Sequence, residues 1–155
     1  MMATYVLTPP TRHLEGTRHA LAVNTDQYPV AMEIKGIHHV SLNVSDVELA
    51  TRFYVDVLGF KELATRPDFN FPGSWLQAGA QQVHLIGEAK NPPDRRQHFA
   101  LQVDDLKAWM LHLDAKQVSY RHSPLIVGAG DQVFLHDPSG NRIELNQPDA
   151  ATADR

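Results

Sequence analysis

The sequence predicts an α+β fold: two tandem βαβββ units whose sheets shape a half-open cleft. Three observations carry this expectation. His39-Val40-Ser41-Leu42-Asn43-Val44-Ser45-Asp46-Val47 returns 59 residues later as His98-Phe99-Ala100-Leu101-Gln102-Val103-Asp104-Asp105-Leu106, and each copy reads as a strand running into a helix. A second pair, Val83-His84-Leu85 and Ile143-Glu144-Leu145, follows at nearly the same offset. Between these anchors, strand and helix signals come in the same order in both halves. Two copies of one unit related by a pseudo-two-fold axis would bring equivalent residues together there. Those residues are His39, His84, His98 and Glu144, the donor set of a metal site.

In the first unit, Val40, Leu42 and Val44 alternate with His39, Ser41 and Asn43, as a half-buried strand requires. Ser45 is expected as an N-cap with Glu48 three residues on, forming a capping box before the helical stripe Val47, Ala50, Tyr54 and Val57. Gly59 supplies the left-handed position that ends the helix. Three strands follow, over 60–65, 74–78 and 81–86, the last two joined at Gly79. In the second unit, Phe99, Leu101 and Val103 oppose His98, Ala100 and Gln102. Asp104 is the expected cap of a helix whose buried stripe is Leu106, Trp109, Met110 and Leu113. Strands over 117–121, 132–136 and 141–146 complete the unit, with Asp137-Pro138-Ser139-Gly140 as a turn. The expected domain is 34–148, made of unit one (34–88), a linker (89–95) with Pro92-Pro93, and unit two (96–148). An irregular arm (1–33) with Pro9-Pro10 precedes it and a tail (149–155) follows.

With 155 residues the chain is long enough to bury about two-thirds of its unfolded surface. A net charge of -4 gives no electrostatic reason to expect nucleic acid or an anionic membrane as partner and leaves small neutral or cationic ligands in view. There is no cysteine, hence no thiolate ligand and no cysteine nucleophile, so any metal must be held by imidazole and carboxylate. No stretch approaches the roughly 20 apolar residues of a membrane span, and no secretory pattern opens the chain. A cytoplasmic location is expected.

The duplicated unit, with Phe53-Tyr54, Leu58-Gly59-Phe60 and Asp137-Pro138-Ser139-Gly140-Asn141-Arg142-Ile143-Glu144-Leu145 in that order, resembles the vicinal oxygen chelate superfamily. That group includes glyoxalase I, methylmalonyl-CoA epimerase, extradiol dioxygenases, fosfomycin-resistance enzymes and bleomycin-binding proteins. The resemblance runs from about Ile34 to Gln147. It implies metal ligands at His39, His98 and Glu144, with His84 offered by the fourth strand of unit one. The ion would be a single divalent Zn, Ni, Mn, Co or Fe, since imidazole and carboxylate do not choose among these. Glu144 and His84 are the expected catalytic groups, and Ser41, Trp75 and Phe134 the expected pocket lining. Dimers are common in such proteins, so a homodimer is one expected assembly, although a chain with both units could also complete its site alone.

Three functions fit these residues. The first is a metal-dependent, glyoxalase-like lyase or isomerase acting on a small substrate with vicinal oxygens through an enediolate, with Glu144 or His84 moving the proton. The second is an Fe(II) extradiol dioxygenase, which keeps its acid–base histidine in His84 but has Phe134 where those enzymes favour a tyrosine. The third is a metal-free protein that binds a drug or metabolite. His38, His112, His122 and His136 read as ordinary polar residues. Arg66, Arg95, Arg96 and Arg121 read as solvated charges, any one of which could grip a substrate carboxylate.

Overall fold

The alternation in each repeat folds as it reads: the central strands turn apolar residues to the core beneath the unit's helix, and their other face carries the polar residues. In the computed structural model, which describes residues 33–87, 93–94 and 96–149, the first unit runs β1 (His39–Asn43), α1 (Val47–Asp56), β2 (Lys61–Glu62), β3 (Gly73–Ala78) and β4 (Gln81–Ile86). The second runs β5 (His98–Gln102), α2 (Leu106–Ala115), β6 (Tyr120–Ile126), β7 (Gly130–His136) and β8 (Arg142–Gln147). Each unit is a four-stranded mixed sheet, ordered β1-β4-β3-β2 and β5-β8-β7-β6. The β1–β4 and β5–β8 pairs are parallel and the others antiparallel. The expected arm, linker and tail lie outside the described residues, apart from Glu33, Pro93, Asp94 and Asp149.

Burial follows the period-two pattern. Val44, Val83, Leu85 and Leu76 of the first unit pack with Ala50 and Tyr54 of α1, and Val133, Leu135, Ile143 and Leu145 pack with Leu106 and Leu113 of α2. Polar contacts join the two units. The Tyr54 hydroxyl donates to Asp137 Oδ2 at 3.1 Å, Asn141 Nδ2 donates to the Asn43 carbonyl at 3.0 Å, Ser45 N–H donates to Ser139 Oγ at 3.0 Å, and His112 Nε2 donates to the Val57 carbonyl at 2.9 Å.

Several local expectations are corrected. The cap of α1 is Asp46, not Ser45, and its carboxylate accepts from Leu49 N–H at 2.9 Å. Ser45 is instead committed to Ser139 across the units. Glu48 makes no reciprocal bond in a capping box and pairs with Arg52. Likewise Asp105 rather than Asp104 caps α2, accepting from Ala108 N–H at 2.9 Å. The strand expected over 60–65 shrinks to β2, although Leu63 N–H still bonds the Trp75 carbonyl. The strand expected over 117–121 begins at Tyr120, because Gln117 and Val118 close α2. Gln117 takes the left-handed conformation (φ 57°) and Val118 N–H bonds the Leu113 carbonyl. Gly59 does the same work for α1 at φ 72°. β6 and β7 form a hairpin with one register shift between Ser123 and Ile126.

Candidate metal centre

Strand register arranges the inner faces. On the first sheet Ser41, His84 and Trp75 lie in one cross-strand row, and His39, Gln82 and Gln77 in the next. The His84 ring is stacked on both sides, at 4.2 Å from Trp75 and 4.2 Å from His39. It is 8 % exposed and its Nε2 donates to Gln82 Oε1 at 2.9 Å. Burial, then the neighbouring His39 and His38, lower its affinity for a proton below the usual imidazole range.

On the second sheet the rows are His98, Arg142 and His136, then Ala100, Glu144, Phe134 and Arg121, then Gln102, Asn146, Gln132 and Ser123. Glu144, 4 % exposed, has one oxygen tied down: Oε1 accepts from Gln132 Nε2 at 2.8 Å and from Asn146 Nδ2 at 2.7 Å. Its other oxygen, Oε2, faces His98 Nε2 at 2.9 Å. The opposite ring nitrogen, His98 Nδ1, lies 2.9 Å from the Arg96 carbonyl. A carbonyl can only accept, so Nδ1 carries the hydrogen, and in a neutral imidazole Nε2 then presents a lone pair. A lone pair and a carboxylate oxygen thus converge on one point, which a proton or a metal cation must occupy. A histidine oriented through its other N–H onto a carbonyl is the usual preparation for metal ligation. The donor set therefore fits a divalent ion.

The count of donors at one place differs from expectation. Among the described residues no three histidine or acid side chains stand close enough to hold one ion. His39 and His84 form a pair on the first sheet, and His98 and Glu144 a pair on the second. Hydrogen bonds tie Tyr54, Asn43 and Ser45 of the first unit to the 137–141 turn of the second.

The expected pocket residues are distributed accordingly. Ser41 lines a groove of about 600 Å³ between the edges of β1 and β5, with Asn43, His98 and Asn141. Trp75 is part of the histidine stack. Phe134, 8 % exposed, sits edge-on to His98 at 5.7 Å, with no phenol at that place. Of the remaining histidines, His112 bonds the Val57 carbonyl, His122 pairs with Asp131 at 2.7 Å, and His38 lies against His39 at 3.0 Å. His136 shares the second inner face. Sequence reading passed over Gln82, Gln132, Asn146 and Arg142. Counting two residues either way from His84 and Glu144 would have placed Gln82, Arg142 and Asn146 on the ligand faces.

Comparison with known proteins agrees with the architecture. The model of the Glyoxalase/Bleomycin resistance protein/Dioxygenase superfamily matches residues 36–145. "Glyoxylase I 4" of Arabidopsis thaliana is 28% identical over 127 residues, covering 74% of this chain and 71% of its own. The metallothiol transferase FosB of Staphylococcus epidermidis is 25% identical over 122 residues, covering 74% and 83%. Among solved structures, TnmS3, an antibiotic binding protein from Streptomyces sp. CB03234, superimposes with a TM-score of 0.65 at 30% identity, over 77% of this chain and 100% of that one.

Proposed function

Because this chain belongs to the Glyoxalase/Bleomycin resistance protein/Dioxygenase superfamily, we propose that it is a divalent-metal-dependent lyase or isomerase of glyoxalase type. Its substrate is a small molecule with vicinal oxygens, between whose neighbouring carbons it moves a proton. The observation that carries this reading is the convergence of His98 Nε2 and Glu144 Oε2 at 2.9 Å with both groups held from behind. His39 supplies the third donor and His84 stands beside it. Because no three of these donors gather within one chain among the described residues, the reading places the complete set between two copies in a homodimer, the first sheet of one facing the second sheet of the other.

A divalent ion held there supplies Lewis-acid polarisation of a carbonyl, which acidifies the adjacent C–H. The chain's own residues do the rest. Glu144 is anchored through Oε1, so Oε2 is the oxygen that would hold the ion and, by shifting off it, accept and return a proton. His84, whose burial favours the neutral ring, is a second base, oriented by Gln82. Trp75 closes one side of His84 and excludes water from it.

The test is metal content of the full chain purified anaerobically without chelator, followed by solvent deuterium incorporation into thiol adducts of 2-oxoaldehydes and into epimerisable acids. Near-stoichiometric Zn, Ni, Mn or Co, lost in Glu144→Ala, with deuterium entering substrate, is expected. Iron with oxygen uptake on catechols would replace this reading with the dioxygenase. A second reading, metal-free ligand binding, draws on the 30% identity to an antibiotic binding protein and the flat Trp75 face. It requires that neither protein retain metal after reconstitution and that His39→Ala bind ligand as wild type does.

A further inference from the structure

We propose that Gln132 and Asn146 are positioning residues that restrict Glu144 to a single metal-binding oxygen, and so keep room on the ion for both neighbouring oxygens of the substrate. The proposal rests on the metal-enzyme reading above and adds to it the part these two amides play.

A carboxylate oxygen has two lone-pair directions. Both of those on Glu144 Oε1 are taken, by Gln132 Nε2 at 2.8 Å and Asn146 Nδ2 at 2.7 Å. The two amides are cross-strand partners on β7 and β8, one inner-face row beyond the Phe134–Glu144 pair, so they approach the carboxylate from the same end. To grip an ion through both oxygens, buried Glu144 would have to release at least one of these charge-assisted bonds, which are stronger than neutral ones. Oε2 carries no such restraint and faces His98.

The amides are themselves held. Asn146 Nδ2 also donates to the Ala129 carbonyl at 2.8 Å, so both its hydrogens are used and the orientation of the amide is fixed. Gly130, at φ 81°, makes room for it. A Cβ there would stand 2.7 Å from Asn146 Oδ1 and 2.6 Å from the Gln147 carbonyl oxygen.

The repeat ties this arrangement to the carboxylate. In the first unit Gly73 and Ile86 hold the places of Gln132 and Asn146, beside Trp75 and His84. Neither side chain can donate a hydrogen bond. An imidazole ligates through one nitrogen whatever lies behind it, whereas a carboxylate can chelate unless one oxygen is occupied. The difference decides how many positions stay open. A catalytic zinc holds about four or five donors. With five, His39, His98 and one oxygen of Glu144 leave room for two vicinal oxygens, and a second Glu144 oxygen would leave room for one.

The experiment loads full-length wild type, Gln132→Met and Asn146→Leu with Co(II), whose visible absorption weakens as its coordination number rises. Both substitutions keep side-chain size, and circular dichroism checks the fold. Each variant is expected to retain cobalt, to lose much of the wild-type band as Oε1 joins the ion, and to bind lactate, an acid with two vicinal oxygens, about tenfold more weakly. A merely structural role for the amides would lower stability without moving the band. Identical bands and lactate affinities in all three proteins, or folded variants that bind no cobalt, would overturn the proposal. X-ray absorption of the cobalt-loaded wild type tests it without a variant: a carboxyl carbon at chelating distance would overturn it, and the lack of one would support it. A wild type that holds no cobalt would instead remove the metal reading itself, and the proposal with it.

Discussion

At the scale of single residues, one buried carboxylate joins the units. Asp137 accepts from Tyr54, Ser139 N–H, Asn141 N–H and Asn141 Nδ2. Burial and the Asp137 charge raise the Tyr54 hydroxyl well above the ordinary phenol range. The unfolded chain would release that proton near pH 10 while the folded chain keeps it. The contribution to stability is therefore full below pH 10 and lost as pH rises above it. Tyrosinate absorbance should show one tyrosine ionising only with unfolding, and Tyr54→Phe should remove that step. The same variant should cost about 1.5–3 kcal/mol at neutral pH, the range for a hydrogen bond to a charged group, read by urea denaturation. A tyrosine that titrates normally before unfolding would contradict the contact. The candidate donors were legible at this scale, but their supports were not. His39, His98 and Glu144 announced themselves by repeating. Gln132 and Asn146, which hold Glu144, did not, because an amide is recognisable as a support only once strand register sets it beside its carboxylate.

Elements repay reading the repeat more strictly than by local propensity. Ser45 has a better motif than Asp46, since Glu48 follows at capping-box spacing. Yet Asp46 and Asp105 occupy equivalent repeat positions, and these two cap α1 and α2. The competing demand was tertiary: Ser45 is needed by Ser139. Replacing Asp46 or Asp105 by alanine should each cost about 1 kcal/mol in thermal or chemical denaturation, and Asp104→Ala nearly nothing. Equal losses at Asp104 and Asp105 would reject the assignment. The start of β6 was illegible for a different reason. Gln117, unlike Gly59, gives no compositional sign of a left-handed residue, so helix closure there looked like strand.

For the whole molecule, sequence periodicity delivered the duplication, both sheets and the polar face of each. It could not show how the two sheets stand to each other, because that depends on Tyr54, Asn43 and Ser45 meeting the 137–141 turn across 83 or more positions of chain. Among the described residues the candidate donors stand as two pairs, His39 with His84 and His98 with Glu144. Among the described residues, no helix is long and apolar enough to cross a membrane. The central claim, that His39 and Glu144 of different copies serve one ion, is tested most directly by mixing. His39→Ala and Glu144→Ala chains are each expected to retain no metal. Unfolded together in equal amounts and refolded, they should recover about a quarter of the wild-type metal content, because half the dimers are mixed and each mixed dimer contains one intact site. A mixture as empty as its parents, beside a wild type that holds its ion, would contradict the shared site.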